Sequence, residues 1–252
     1  MVMKEVVLSL QGVSKWFTGL HALTDVSIDC MRGERIAIIG PNGAGKTTLF
    51  NVISGERKAT KGKVILFGKD ITNFSVKKRV ELGLRRTYQS TSIFEKLDVK
   101  QNLALSLLGL TRGLKLFSNS DNFISNSKRI YDIGKSVGLS DRINSLSGDL
   151  SHGERRQLEV GLSITHMPQI VLLDEPAAGL SPKERELLIN LLHSLQDDIT
   201  LLIVEHDMEV ALRVAKRVIV LHEGKVLVSG TPEEVTANKI VQDIYLGGKI
   251  DE

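Results

Sequence analysis

The stretch Gly40-Pro41-Asn42-Gly43-Ala44-Gly45-Lys46-Thr47 follows an apolar run, Arg35–Ile39, and opens a helical pattern, Thr47–Ile53. Leu49, Phe50 and Ile53 form the apolar side of that helix. Glycines at this spacing let the backbone curl until several N–H groups face one point, and the helix start adds positive potential. Such a loop takes phosphate. Lys46 brings a point charge to the β- and γ-phosphates of a nucleotide, the Thr47 hydroxyl can ligate Mg²⁺, and Thr48 helps to hold the phosphates. By itself the pattern also fits a ligand-free glycine turn; its strand and helix flanks and its companions decide between the two.

The companions are acids and a histidine at strand ends. Ile170–Leu173 leads into Asp174-Glu175, and in doubly wound sheets ligands lie just beyond such ends. Asp174 can hold Mg²⁺ through water. Glu175 can orient and deprotonate an attacking water, a role worth about 10²–10⁴ in rate. Alone, the pair would equally be two solvated charges ahead of Pro176. The next run, Leu201–Val204, ends in Glu205-His206-Asp207, which places an imidazole where a γ-phosphate would sit. Gln89, within Arg85-Arg86-Thr87-Tyr88-Gln89-Ser90, reads by itself as a surface polar residue.

A further segment, Leu150-Ser151-His152-Gly153-Glu154-Arg155-Arg156, precedes a helix carrying Leu158, Val160, Leu162 and Ile164. Ser151-x-x-Glu154 is a capping box, which suffices as a structural explanation. A Ser–Gly helix start is also an anion site. One pocket needs one phosphate loop, so this start is expected to face a partner's nucleotide.

These residues need a scaffold. Arg35–Ile39, Ile170–Leu173, Leu201–Val204 and Val218–Leu221 are strand-length apolar runs without alternation, as in a parallel sheet covered on both faces. Leu187, Leu188, Leu191, Leu192 and Leu195 form a helical stripe that starts at Ser181-Pro182-x-Glu184, and Thr231-Pro232-Glu233-Glu234 repeats that grammar. Val6–Asp29 and Val64–Phe67 instead alternate and carry turn signals, as antiparallel strands do. From Thr91 to Ser147 the pattern is helical but broken, and Thr111–Ser127, rich in Gly, Ser and Asn, reads as a loop or loose insert. The expected architecture is α/β, with an antiparallel β section and an inserted helical lobe.

With 252 residues the chain can bury a large core unaided. Its one cysteine, Cys30, cannot form an internal disulfide and reads as a small core residue in a reducing compartment. Lys and Arg number 33 against 30 Asp and Glu, with no basic run and few aromatics, so nucleic acid is not expected as a partner. No signal peptide is read in Met1–Leu10, and no apolar stretch is long enough to span a bilayer.

Together the motifs resemble the nucleotide-binding subunit of ABC transporters over nearly the whole chain. The matching positions are a Walker A at Gly40–Thr47, a Q-loop at Gln89, a signature at Leu150–Glu154, a Walker B at Ile170–Glu175 and a switch histidine at His206. The resemblance implies a P-loop NTPase fold of ABC type in a single domain, with residues 1–90 and 166–252 as core and 91–165 as the helical lobe. It implies a head-to-tail dimer, of this chain or with a paralogue, sandwiching two ATP molecules. Ser151 and Gly153 of one subunit would contact the γ-phosphate held by the other. Mg²⁺ would be held by Thr47, Gln89 and Asp174. Catalysis would fall to Glu175, His206, Gln89 and Lys46. In this family an aromatic stacks on adenine; Phe17 matches that place best, and its neighbour Trp16 is the alternative.

Finer features narrow the likeness. The phosphate loop, Ala177-Ala-Gly-Leu180, Val204-Glu-His-Asp-Met208 and Ile244-Tyr-Leu-Gly-Gly248 look like ATPases of branched-chain amino-acid uptake. Relatives serving urea or lipopolysaccharide transport share much of this, and the polar insert before Ser147 favours the amino-acid group. Implied partners are transmembrane permease subunits and, indirectly, a substrate-binding protein, at the cytoplasmic face of the inner membrane. A soluble ABC-type ATPase is the other reading; it would carry a coiled coil, a second cassette or a basic face, and none is visible. A nucleotide kinase or GTPase leaves Ser151–Glu154 and His206 unexplained, and no Asn-Lys-x-Asp is present. Two departures stand out. The signature reads Leu-Ser-His-Gly-Glu where Leu-Ser-Gly-Gly-Gln is usual, and Ser181 stands where many relatives carry an Asp.

Overall fold

A strand of unbroken apolar residues needs cover on both faces, and the fold supplies it. The computed structural model describes residues 5–87, 93–109 and 120–246. Strands β1 (Val6–Phe17) and β2 (Leu20–Met31) form the antiparallel hairpin that the alternation of Val6–Asp29 predicts. They are followed by β3 (Arg35–Ile39) and α1 (Lys46–Ser54), then by β4 (Lys61–Leu66), β5 (Lys69–Asp70), α2 (Val76–Glu81) and β6 (Leu84–Arg86). Next come α3 (Val99–Leu108), α4 (Ser120–Ser136) and α5 (His152–Ile164). The chain closes with β7 (Ile170–Asp174), α6 (Pro182–Ser194), β8 (Thr200–Val204), α7 (Met208–Val214), β9 (Arg217–His222), β10 (Lys225–Gly230), α8 (Pro232–Thr236) and α9 (Lys239–Leu246).

The strands make two sheets. One has the order β2-β1-β4-β5 and is antiparallel; the other has the order β10-β9-β3-β8-β7-β6 and is parallel except for β10. Residues of β3, β7, β8 and β9 alternate between two cores. Ile36, Ile38, Ile170, Leu172, Leu202, Val204, Ile219 and Leu221 pack toward α1 and the antiparallel sheet. Ala37, Ile39, Val171, Leu173, Leu201, Ile203, Val218 and Val220 pack toward the helices of the other face. Each fully buried Ile or Leu contributes about 1.5–3 kcal/mol, so both faces of the central strands hold the sheet in place.

Register then sets the site. Ile38 pairs with Val204, and Val204 pairs with Asp174, so β3, β8 and β7 end side by side. Their exits, Gly40, Glu205 and Glu175, therefore open on one edge. The helices α3, α4 and α5 lie between β6 and β7 in the chain and share one apolar cluster through Leu103, Ile133 and Leu158.

One expectation needs correction. Thr111–Ser127 reads as a loop or loose insert, yet α4 already begins at Ser120, so the loop alternative fails from there on; residues 110–119 lie outside the described part. Ile130, Ile133 and Val137 recur at helical spacing and are buried. Once packing has nucleated that turn, extending a helix upstream through Ser and Asn costs only tenths of a kcal/mol per residue.

Arg79 fixes the far end of α1. It is 1% exposed. Its Nη1 donates to the carbonyls of Val52 and Ile53, both at 2.7 Å, its Nη2 to Thr72 O at 3.0 Å, and its Nε to Phe74 O at 3.2 Å. The first two acceptors belong to the last turn of α1, where carbonyls lack helical partners and a cation is favoured. Replacing Arg79 by Ala leaves these buried acceptors unpaired and is expected to lower the unfolding free energy by about 3 kcal/mol. Urea denaturation of the variant checks this; a midpoint equal to the parent's would show that water takes over the role.

Candidate functional site

The loop from Gly40 to Gly45 is shaped by close backbone approach. Gly40 and Gly45 have φ of 156° and 102°. A Cβ on Gly40 would stand 2.2 Å from Leu221 O, and one on Gly45 would stand 2.5 Å from Ala22 O. No other residue type fits either place. Gly45 is also the N-cap of α1, and no side chain caps that helix. By contrast α3, α5, α6 and α8 all start with capping boxes. The first-turn amides of α1 are thus left to an anion.

Lys46 lies in the first turn of α1 and is buried. Its Nζ donates to Gly40 O at 2.6 Å and to Pro41 O at 3.0 Å, so the ammonium is held across the loop. Burial draws its pKa below the ordinary lysine value, while the Glu175 and Asp174 carboxylates act in the opposite sense. A cleft of about 470 Å³ is lined by Phe17, Leu20, His21, Asn42 to Thr48, Glu175 and Glu223, a volume suited to a small molecule. Phe17 is in this lining with 41% of its surface exposed. Trp16 is not; it stacks on His21 at 5.0 Å, under the Lys61 ammonium.

Glu175 follows β7 in a left-handed conformation, φ 47°, which costs a non-glycine residue about 1–3 kcal/mol. Three bonds hold the conformation. Its N–H donates to Val204 O at 2.9 Å, and its carbonyl accepts from Ala178 N at 3.1 Å and from Arg156 Nη2 at 3.4 Å. This turn carries the side chain from the strand end to the cleft lining. His206 approaches from the neighbouring strand end, with Nδ1 3.9 Å from Glu175 Oε2 and the ring 56% exposed. Asp174 is buried and accepts from Arg86 Nη2 at 2.7 Å.

The donor set fits Mg²⁺. A hydroxyl, Thr47, and a carboxylate, Asp174, are hard oxygen ligands from two elements that meet at the loop, and Mg²⁺ is usually held by one or two such groups together with phosphate oxygens. Gln89, the third expected ligand, lies outside the described residues. Among the described residues no cluster of His, Cys, Asp and Glu suggests a transition-metal centre.

Ser151 and Gly153 stand apart from this cleft. They line a separate hollow with Gln157, Glu184, Leu187 and Leu188. The capping box is formed: Glu154 N–H donates to Ser151 Oγ at 3.2 Å, and Ser151 N–H donates to Glu154 Oε2 at 2.8 Å. Gly153 N–H donates to Glu184 Oε1 at 2.9 Å, and His152 Nε2 donates to Ala178 O at 3.2 Å. Bonds from Ser181 and Gly153 hold the Glu184 carboxyl below its usual range. Within one chain, then, the loop, Asp174, Glu175 and His206 come together, and the α5 start does not join them.

Sequence reading alone passes over Arg86, Arg156 and Glu205. Arg86 carries no sequence signal, because its burial and its acid partner are both set by the fold. Glu205 is fully buried after β8. Its Oε1 accepts from Ala177 N–H at 2.8 Å, and its Oε2 has no hydrogen-bond partner among the described residues. Arg156 has no sequence signal beyond its place on an amphipathic helix.

Comparisons with known proteins agree with this arrangement. The family described as ABC transporter matches residues 23–178. The high-affinity branched-chain amino acid transport ATP-binding protein LivG of Escherichia coli is 33% identical over 97% of this chain and 99% of its own length. Among solved structures, the ADP conformation of MJ1267, an ATP-binding cassette of an ABC transporter, superposes with a TM-score of 0.83 at 29% identity, covering 96% of this chain and 99% of that one. The dimeric post-hydrolysis state of the cassette MJ0796, bound to ADP and Pi, gives 0.75 at 26%, covering 89% and 98%.

Glu205 gives this site a pH signature. Burial raises its pKa to about 7, against opposing bonds from the Ala177 and Asp207 amides. A carboxyl raised in the fold stabilises it fully below its unfolded value, and that stability drains away as pH rises toward 7. Replacing Glu205 by Gln removes this dependence. The variant is expected to gain stability relative to the parent between pH 5 and pH 8, read from thermal unfolding at both. A constant difference in melting temperature would contradict the assignment.

Proposed function

The chain belongs to the ABC transporter family and is an ATPase whose hydrolysis is coupled to transport, and we propose that it powers an importer of branched-chain or other hydrophobic amino acids. The observation that carries the ATPase reading is the convergence of the Lys46 loop and Glu175 on one cleft. The likeness to LivG supports the substrate class.

In this reading the loop amides and Lys46 bind the nucleotide's phosphates, and Phe17 stacks on adenine. Thr47, Asp174 and Gln89 would hold Mg²⁺, which would supply neutralisation of the phosphate charge. Glu175 accepts a proton from the attacking water, and His206 contacts the γ-phosphate. Two subunits meet head to tail, with Ser151 and Gly153 reaching the facing nucleotide; that the similar cassette MJ0796 is dimeric supports the pairing. ATP favours the closed dimer because its γ-phosphate is bound by both faces, and hydrolysis withdraws that preference. The inserted lobe near Gln89–Asn102 passes the movement to transmembrane permease subunits at the cytoplasmic face of the membrane. No described helix is long and apolar enough to cross a bilayer, so spanning is left to those partners.

Two substitutions test the machinery. Replacing Lys46 by Ala should abolish binding of Mg-ATP measured by calorimetry; unchanged heat would refute the phosphate loop. Replacing Glu175 by Gln should preserve ATP binding, cut turnover by about 10² or more, and shift the protein to a dimer on a sizing column with ATP. Hydrolysis at the parent rate in that variant would exclude Glu175 as the base. Uptake of labelled leucine by vesicles holding the chain with its co-purified membrane partners reads the substrate class, and failure of unlabelled leucine to compete would exclude it.

A further inference from the structure

Asp174 has a partner that the hydrolytic chemistry does not itself call for. Arg86, the last residue of β6, donates from Nη2 to Asp174 Oδ2 at 2.7 Å, and both side chains are only 5% exposed. A buried ion pair of this kind is poor evidence for stability, since desolvation offsets much of the attraction. What it does supply is geometry, because a guanidinium is a rigid plane with donors on separate edges.

The other edge of Arg86 is fixed from α1. Its Nη1 donates to Asn51 Oδ1 at 2.6 Å, to Ser54 Oγ at 3.2 Å and to Glu56 Oε1 at 3.2 Å. The Phe50 ring lies 5.7 Å from Cζ. Asn51 and Ser54 sit on the helix whose first turn carries Lys46 and Thr47. One rigid group therefore spans from the phosphate-loop helix to the carboxylate at the end of β7. It holds Oδ2 and leaves Oδ1 to other partners. Groups that orient a metal-binding carboxylate in this way typically change metal affinity 10–100-fold when removed.

We propose that Arg86 is the positioning residue of the magnesium site, setting the span between the Thr47 hydroxyl on α1 and the Asp174 carboxylate on β7. This rests on the ATPase reading, and it goes beyond it by assigning a role to a residue that touches neither nucleotide nor metal. A purely neutralising role makes the opposite prediction. There, removing the cation would leave the Asp174 charge freer and Mg²⁺ affinity unchanged or higher.

The test uses the full chain and the variants Arg86→Gln, Arg86→Lys and Asn51→Ala, each checked for folding by its melting curve. Fluorescence of trinitrophenyl-ATP reports nucleotide binding first in EDTA and then through a Mg²⁺ titration. Metal-free nucleotide affinity should be similar in all forms. The half-saturating Mg²⁺ should rise about 10–100-fold in Arg86→Gln, and less in Arg86→Lys, which keeps the charge but loses the second hand. It should also rise, by less, in Asn51→Ala, where the Asp174 pair survives but the shortest of the bonds to α1 is cut and the longer one to Ser54 remains. Excess Mg²⁺ should restore hydrolysis in each. An unchanged or lowered half-saturation in folded Arg86→Gln overturns the proposal, as does a turnover defect that excess Mg²⁺ leaves in place. Should Arg86→Gln fail to fold, the Asn51→Ala titration decides alone, with an unchanged value overturning it. Failure of the parent to bind nucleotide would instead sink the ATPase reading itself.

Discussion

The structure depends on one helix start whose amides have been left without side-chain partners. An α-helix begins with orphan N–H groups, and proteins normally satisfy them locally. The chain does so at α3, α5, α6 and α8 with Asp98, Ser151, Ser181 and Thr231. At α1 the N-cap is Gly45, which has no side chain to offer. The resulting positive potential is kept in place by a loop that only glycine can trace, wedged against the backbones of Ala22 and Leu221. Such a site needs a stiff support, and β3 gives it one, buried on both faces between two cores.

The acid groups are brought to this potential by register alone. β8 lies between β3 and β7, and the pairings Ile38 with Val204 and Val204 with Asp174 align the exits of the three strands. Each exit then turns differently. Gly40 opens the phosphate loop, Glu175 takes a left-handed turn, and Glu205 goes inward to the Ala177 amide. The local strain at Glu175 is sustained because bonds from β8, α5 and the following turn all converge on its backbone.

Most of the fold was legible because its signals are local or periodic. Unbroken apolar runs marked β3, β7, β8 and β9 to within a residue or so at each end, and the Ser-Pro-x-Glu and Thr-Pro-Glu-Glu starts marked α6 and α8. Alternation marked the β1–β2 hairpin. What escaped depends on residues far apart in sequence. Nothing in the chain near Arg86 announces Asp174, eighty-eight residues on. The helix α4 escaped because Ser120, Asp121, Asn122, Ser125 and Asn126 read as turn formers, while Ile130 and Ile133 are buried at helical spacing further on. Phe17 and Trp16 are adjacent and chemically alike; the pairing of Trp16 with His21 across the hairpin is what separates them.

The two glycine-containing helix starts are physically unequal, and the inequality follows from where their acids lie. Gly45 faces the cleft with no side chain of its own, and no side-chain cap closes the start of α1. Gly153 donates to Glu184 of its own chain, whose other oxygen takes the Ser181 amide and hydroxyl. An anion arriving at α1 meets amides that no side chain caps. One arriving at Gly153 must displace a carboxylate that is already well bonded, and doing so loosens the cap of α6. The same α5 start also touches Ala178 through His152, and one turn further on Arg156 reaches the Glu175 carbonyl. Any contact that draws on the Gly153 amide is therefore felt along the segment from Glu175 to Ser181, which is the segment that shapes the acid end of the cleft.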